Sequence, residues 1–228
     1  IRVRKTIEID GVKHHRLVET TVGRIIFNRA IPQDLGIVER NTLDDMFLYE
    51  VDFKVGKKQL SKIVERCIKV HGTAKTAVVL DQIKDLGYKF STRAALTIAV
   101  ADATIPPEKQ QFIQEAEKRV DTINKLFKRG LVSDDERYRM VIETWNETTS
   151  KVTDALTRHL DQYNPIFMMS DSGARGSIAQ IRQLAGMRGL IANASGRTIE
   201  VPIRANYREG LNVLEYFISS RGARKGLA

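Results

Sequence analysis

Cysteine and histidine are scarce in this chain: its 228 residues include a single cysteine, Cys67, and four histidines. One cysteine excludes an internal disulfide and any zinc site built from several cysteines, and it is typical of a reducing compartment. The histidines lack the spacing of a metal-binding pair on a helix. No apolar run approaches the roughly 18 residues that a membrane-spanning helix needs, and no signal peptide is visible. These absences predict a chain that binds no metal itself and contacts no membrane.

Acidic residues are also outnumbered, with 28 Asp and Glu against 37 Lys and Arg. The net charge is +9, and residues 164–228 contain nine basic residues, eight of them arginine, against four acidic ones. Residues 106–160, in contrast, contain ten of each sign. The planar fork of arginine suits phosphate recognition, so the C-terminal excess predicts a phosphate-bearing or polyanionic partner.

The N-terminal third of the sequence predicts a β-hairpin followed by short helices. Residues 1–19 alternate at period two around the turn dipeptide Asp10-Gly11, which is typical of two antiparallel strands. Residues 41–49 are predicted to form a short helix. Two further helices are predicted, one ending at Gly72 and the next ending at Gly87. The second of these is mainly apolar, which indicates core packing rather than DNA reading.

Residues 106–160 predict two antiparallel helices. In two stretches of this segment, apolar side chains recur at alternating steps of three and four residues. Gly130 is predicted to end the first helix, and Ser133 with Glu136 forms a capping box that opens the second. Two interpretations remain open: a rod whose charged tip is held by a partner, and an ordinary helical pair within a bundle.

The run 167–188, FMMSDSGARGSIAQIRQLAGMR, combines paired methionines, three glycines and three arginines. Glycine inside a helix costs about 0.5–1 kcal/mol relative to alanine, so a simple core helix would not keep these glycines. A simple surface loop would not keep the apolar side chains. The mixture predicts a backbone that bends around a ligand, with arginines directed at anions. A helix over Ile181–Leu190, a small hairpin turning at 193–196 and a helix from Leu211 are also predicted.

Two long phrases, MMSDSGARGSIAQIRQLAGMRGL and IEVPIRANYREGLNVLEYFISSRGARKGLA, resemble the β′ subunit of bacterial RNA polymerase. Weaker upstream phrases match in the same order: TTVGRIIFN, IPPEKQQFIQEAE, GLVSDDERY and VIETW. Together they cover almost the whole chain. The resemblance implies a piece of a larger multidomain subunit, and a start at Ile1 rather than methionine indicates a fragment or a processed form.

The resemblance also implies a fold and its division. The expected fold is mainly α with small β-hairpins, an α+β arrangement in which an antiparallel helical hairpin projects from a mixed pore domain. Residues 1–103 would be part of the pore domain, and 104–161 the funnel region with the rim of the secondary channel. Residues 162–211 would form the F-loop region, and 212–228 the N-terminal half of the bridge helix.

The resemblance further implies three groups of site residues. Those expected along the path of nucleoside triphosphates (NTPs) are Arg175, Arg182 and Met169. Those expected at the factor-docking tip of the rim are Asp134, Asp135, Glu136 and Arg139. Those expected as a hinge of the bridge helix are Gly222, Arg224, Lys225 and Gly226.

Cofactors and partners are likewise implied by the resemblance. The complete enzyme uses Mg²⁺ held by aspartates in the motif NADFDGD, with Zn²⁺ elsewhere in the subunit, and this chain lacks that motif. It is therefore expected to bind neither ion and to be inactive alone, although part of a nucleotidyltransferase. Expected partners are the rest of β′, the β, α and ω subunits, NTPs, DNA, RNA and secondary-channel factors, in the cytoplasm at the nucleoid. The alternatives are an independent nucleic-acid-binding or regulatory module and, with no nucleophile motif to support it, a hydrolase.

Overall fold

A computed structural model describes residues 1–9, 11–193 and 195–227, and for residues 221–227 it describes the backbone alone. The chain divides into two compact units, an N-terminal unit, Ile1–Leu96, and a C-terminal unit, Thr97–Ala228. Helices dominate both units, and one two-stranded antiparallel sheet completes the secondary structure of the described residues. The predicted mainly α, α+β class is confirmed.

The N-terminal unit begins with the predicted β-hairpin. Strands β1 (Arg2–Ile9) and β2 (Val12–Glu19) pair antiparallel, in a register that runs from Arg2 opposite Glu19 to Ile9 opposite Val12. Of the predicted turn, Asp10 lies outside the described residues. The alternating exposure along β1 follows the period-two pattern of the sequence.

Helix α1 (Val22–Ala30) follows, and its first turn is capped by the Thr21 hydroxyl, which accepts a hydrogen bond from the Arg24 amide at 3.3 Å. The helix predicted at residues 41–49 is wrong in extent, because only a 3₁₀ turn, Asp45–Phe47, forms there. The Asp45 carboxylate accepts bonds from both the amide and the hydroxyl of Thr42. These local bonds favour a tight turn over a longer helix.

Helix α2 (Lys57–Arg93) contains the predicted break, since Gly72 has the non-helical angles φ 75° and ψ 178°. The second predicted end, at Gly87, is wrong, because the helix continues to Arg93. Glycine in a helix interior costs only about 1 kcal/mol, which neighbouring helical residues can offset. Gly72 differs because its left-handed φ is one that other residues rarely adopt.

Buried polar groups as well as apolar ones fill the N-terminal unit. The apolar cluster contains Ile31, Leu35, Val51, Ile63, Cys67 and Val79. Glu50 is fully buried, accepts bonds from the amides of residues 36–38 and pairs with Arg40 at 2.8 Å. Asn28 bonds both the amide and the carbonyl of Val51. These bonds satisfy the backbone of a long loop that has little secondary structure of its own.

The C-terminal unit is built on the predicted helical pair, α3 (Lys109–Lys128) and α4 (Asp134–His159). Gly130 ends the first helix at φ 72°, and the capping box of Ser133 and Glu136 opens the second. The shared core contains Ala116, Ile123, Val141, Trp145, Val152 and Met187. Because Met187 lies beyond α4, the pair packs against later chain as well as within itself.

The C-terminal unit also contains a 3₁₀ turn, Val100–Asp102, before the helical pair. Three shorter α-helices follow the pair: α5 (Pro165–Asp171), α6 (Ile178–Ala185) and α7 (Val213–Leu227). The sequence did not predict α5, whose start is capped by the Asn164 side chain. The helix predicted to run to Leu190 ends at Ala185 instead. At Gly186 a Cβ atom would lie 3.0 Å from the Arg182 carbonyl oxygen, and the chain turns away there. The small hairpin is present as two isolated antiparallel bridges, Gly189 with Ile203 and Ala192 with Thr198.

Candidate functional site

The segment between α5 and α6 is a tight loop that presents Arg175. Gly173 and Gly176 both adopt left-handed φ angles, 76° and 87°, which lets the chain reverse on either side of this arginine. The Arg175 amide donates to the Met169 carbonyl oxygen at 3.2 Å, so the loop folds back on the end of α5. The glycines that argued against a plain helix are therefore the residues that shape the loop.

Arg175 and Met169 line the same cavity, which has a volume of about 370 Å³. Its other lining residues include Ile98, Ile166, Ile181, Leu184 and Tyr207. Most of these side chains are apolar, and Arg175 is the one charged residue among the described residues that line the cavity. The structure thus brings together two of the three residues predicted for the NTP path. The third, Arg182, lies on α6 outside the lining of this cavity.

Four of the six arginines between residues 164 and 210 have structural partners. Arg188 lies 5.4 Å from the Tyr207 ring and Arg197 4.4 Å from the Tyr138 ring. Arg204 forms an ion pair with Glu117. Arg208 donates to the Ala103 carbonyl oxygen at 2.6 Å. Much of the arginine excess seen in the sequence therefore stabilises the unit itself.

The other two arginines, Arg175 and Arg182, have no side-chain hydrogen bond or ion pair among the described residues. Arg175 is exposed, whereas the Nε atom of Arg182 is buried without an acceptor. A buried donor left without a partner costs roughly 1–3 kcal/mol. Neither guanidinium group is therefore engaged by another described residue, and the exposed Arg175 is available to bind an anion. Both arginines were predicted as site residues through the family resemblance.

A network missed by the sequence fixes α6 in place. Asn206 is fully buried, and its Nδ2 donates to the carbonyl oxygens of Ala185 and Gly186, each at 3.0 Å. The Glu209 amide donates to Asn206 Oδ1 at 2.8 Å, and the Glu209 carboxylate accepts from the buried Lys109 Nζ at 2.5 Å. The only signal in the sequence is the polar run NYRE at residues 206–209, which identifies no partner.

The tip of the helical pair carries the residues predicted for factor docking. Asp134 pairs with Arg137 at 2.9 Å, and Arg137 also binds Glu200, so these two carboxylates raise the pKa of the guanidinium. The Ser133 backbone amide, followed by its hydroxyl, lowers the pKa of the Glu136 carboxyl. Two of the predicted tip residues are therefore already bonded within the chain, Asp134 to Arg137 and Glu136 to Ser133.

The other two predicted tip residues, Asp135 and Arg139, are exposed and form no side-chain bond with any described residue. They are the charges at the tip that a partner could contact without displacing a bond within the chain. The predicted hinge residues Gly222, Arg224, Lys225 and Gly226 lie outside the residues whose side chains are described. The start of α7 is well fixed, because Glu215 accepts bonds from the amides of Arg204, Ala205 and Asn212.

Two other kinds of site are absent from the described residues. They contain no group of three or more His, Cys, Asp or Glu side chains placed to hold a metal ion. None of their helices is both long and apolar enough to cross a bilayer.

Two family profiles match consecutive parts of the chain. RNA polymerase Rpb1, domain 3, matches residues 2–103, and RNA polymerase Rpb1, domain 4, matches residues 132–209. Over its whole length the chain is also 60% identical to the DNA-directed RNA polymerase subunit β′ of Caldicellulosiruptor saccharolyticus. The chain belongs to the bacterial RNA polymerase β′ family.

Other β′ subunits are similar to the same extent. Identity over all 228 residues is 57% with the subunit of Acetivibrio thermocellus and 55% with that of Clostridium acetobutylicum. The chain spans 19–20% of the length of these three relatives. It therefore corresponds to about a fifth of a β′ subunit.

Proposed function

We propose that this chain is the part of a bacterial RNA polymerase β′ subunit that forms the secondary channel through which NTPs reach the active site. Residues 104–161 would supply the docking rim for transcript-cleavage-type factors. Residues 162–211 and 212–228 would supply the F loop and the start of the bridge helix, used in nucleotide addition and translocation. The continuous identity to β′ subunits supports this proposal over an independent nucleic-acid-binding module.

The observation that carries the proposal is the contrast among the six arginines of residues 164–210. Four have partners within the unit, while Arg175 and Arg182 have none among the described residues. An NTP carries several negative charges, and unpaired guanidinium groups on its path would raise its local concentration. Arg175 is exposed, lies on a loop shaped by two glycines and lines a cavity, so it is the better placed of the two to contact a triphosphate.

Catalysis would depend on parts of the subunit outside this chain. Phosphoryl transfer needs carboxylates that hold Mg²⁺ on the reacting phosphates. Such carboxylates, together with the β, α and ω subunits, DNA and RNA, would come from the rest of the assembled enzyme. The role of this chain would be to deliver and orient the nucleotide, and to receive regulatory factors.

The NTP role is tested by Arg175→Ala in the reconstituted polymerase. Loss of one charge-assisted hydrogen bond, worth about 1.5–3 kcal/mol, should raise the apparent KM for NTPs by about tenfold or more. The matched control is Arg188→Ala, which removes an arginine that lies over Tyr207. Single-nucleotide addition kinetics that are the same for the Arg175 variant and the wild type would refute the role.

The docking role is tested at Asp135, the exposed acid of the tip that has no structural bond. Asp135→Arg should weaken binding of cleavage-type factors while leaving factor-free elongation intact, since charge reversal opposes a complementary partner. Asp154→Arg, an exposed acid at the far end of the same helix, is the control. Equal factor affinities for the two variants would exclude the tip as the docking point.

A further inference from the structure

A groove of about 500 Å³ in the N-terminal unit combines positive charge with an exposed aromatic ring. One face of α2 contributes to its lining, with Gln59, Lys62, Ile63 and Arg66 at helical spacing. The segments before α2 contribute Gly36, Ile37 and Phe53. No step of the NTP or docking proposals uses these residues.

Phe53 is the exposed aromatic side chain of this groove. It is 44% exposed, whereas Ile63 in the same groove is 1% exposed and belongs to the core of the unit. The groove thus has an apolar floor and a ring left open to solvent beside it. A ring in this position offers a flat face on which a planar group can stack.

The two cations of the groove are not neutralised by ion pairs within the described residues. Arg66 donates from Nη2 to the Gly36 carbonyl oxygen at 3.2 Å, which fixes the guanidinium and leaves its other donors available. Lys62 is exposed. Glu65, the acid between them on α2, is engaged by Lys69 at 2.7 Å. That bond is also the main cause of the lowered pKa of the Glu65 carboxyl.

We propose that this groove binds single-stranded nucleic acid, with a base stacked on Phe53 and adjacent phosphates on Lys62 and Arg66. Grooves for single strands combine backbone-tracking cations with aromatic side chains on which bases stack. An acidic peptide would use the two cations and leave the ring without a planar partner. The proposal rests on the N-terminal unit alone, so its failure would leave the NTP path at Arg175 untouched.

Photocrosslinking tests the groove in the full-length subunit within the assembled polymerase. The photoreactive analogue p-benzoylphenylalanine replaces Phe53, and the probe is a labelled single-stranded RNA of about 12 nucleotides, within the usual site sizes. We expect the analogue to crosslink to the RNA. The crosslinking affinity should fall with salt, and Lys62→Ala and Arg66→Ala should each reduce the slope of log K against log salt by about 0.7.

The control for general loss of charge is Lys89→Ala. Lys89 is exposed on the same helix but does not line this groove, so its removal should leave the salt slope unchanged. A lost fold would lower crosslinking without selectively changing the salt slope, so the slope separates binding from stability. Three results would overturn the proposal. These are crosslinks to protein alone, crosslinks to a labelled free NTP but not to RNA, and equal slopes for the Lys62, Arg66 and Lys89 variants.

Discussion

The helical pair α3–α4 and the α5–α6 segment lie in the same unit but differ in the pairing of their arginines, with Arg139 at the tip of the pair as an exception. In the helical pair, Arg119 contacts Glu147 at 2.6 Å, and Arg137 bonds both Asp134 and Glu200. In the α5–α6 segment, Arg175 and Arg182 have no such partners among the described residues. Matched charges stabilise a framework, whereas unmatched charges on a framework are available for a ligand.

The two regions differ in backbone as well. Helix α4 runs without interruption for 26 residues from its Ser133 cap. Five of its threonines donate to the carbonyl oxygen four residues earlier: Thr144, Thr148, Thr149, Thr153 and Thr157. The first three are buried, so these bonds satisfy their hydroxyls inside the packed face. The α5–α6 segment contains only two short helices, joined by a loop in which Gly173 and Gly176 adopt left-handed φ angles. A long rigid element thus supports a short irregular one, which carries the candidate ligand-binding groups.

Removing the buried tryptophan from the core of the helical pair should have the largest effect on stability. Trp145 is 3% exposed in the core shared by α3, α4 and Met187. We expect Trp145→Ala to lower the free energy of unfolding by about 3–5 kcal/mol, because it leaves a large cavity. Urea unfolding followed by circular dichroism measures this. Leu131→Ala, at a side chain that is 66% exposed, should change stability by less than about 0.5 kcal/mol. Similar losses for both variants would contradict the assigned core.

The packing of α4 against the chain that follows α6 depends on a glycine. Gly189 has φ 83°, and an added Cβ would lie 3.2 Å from Thr149 Oγ1 of α4. Gly189→Ala should cost about 1–2 kcal/mol for the left-handed backbone, and about 1–3 kcal/mol more for overpacking. Gly130→Ala provides the comparison, because Gly130 has φ 72° but no atom near its Cβ position. Trp145 fluorescence in urea should show the larger loss for Gly189, and equal losses would mean that the close approach is unimportant.

Much of the secondary structure could be predicted from the sequence, because its signals are local. The strand alternation, the Gly72 break and the Ser133 capping box each depend on residues close together in the chain, and all three are confirmed. The end at Gly87 was predicted wrongly, since a weak helix breaker does not outweigh its neighbours.

The candidate site was predictable only in part, because its supports join residues far apart in sequence. The Lys109–Glu209 pair connects positions 100 residues apart, and Arg208 reaches the Ala103 carbonyl oxygen across 105 residues. The sequence identified Arg175 and Arg182 through the family resemblance. It could not identify which other arginines would be paired, because that depends on tertiary contacts.

Identical substitutions at a paired and an unpaired arginine would sharpen the comparison further. Arg137→Met should cost about 1–3 kcal/mol, because it leaves Glu200 without the bidentate partner that now lies 2.6 Å away. Arg182→Met should be neutral or stabilising by up to about 1 kcal/mol, because it removes a buried Nε that has no acceptor. Urea midpoints monitored by Trp145 fluorescence measure both changes. A loss at Arg182 as large as that at Arg137 would indicate that Arg182 belongs to the framework.

The smallest expected effect is a pH dependence of the unfolding free energy that comes from Glu136, at the tip of the helical pair. The Ser133 amide and hydroxyl hold the pKa of Glu136 below its ordinary value of 4.5. The capping interaction therefore contributes fully above the unfolded-state pKa and is lost as pH falls through the lower folded-state pKa. Glu136→Gln can still accept the Ser133 bond but cannot titrate, so its unfolding free energy should depend less on pH below about 4.5 than that of the wild type. If the two pH profiles run parallel, the carboxylate adds nothing beyond an ordinary cap, and Glu136 would be as available to a docking factor as Asp135.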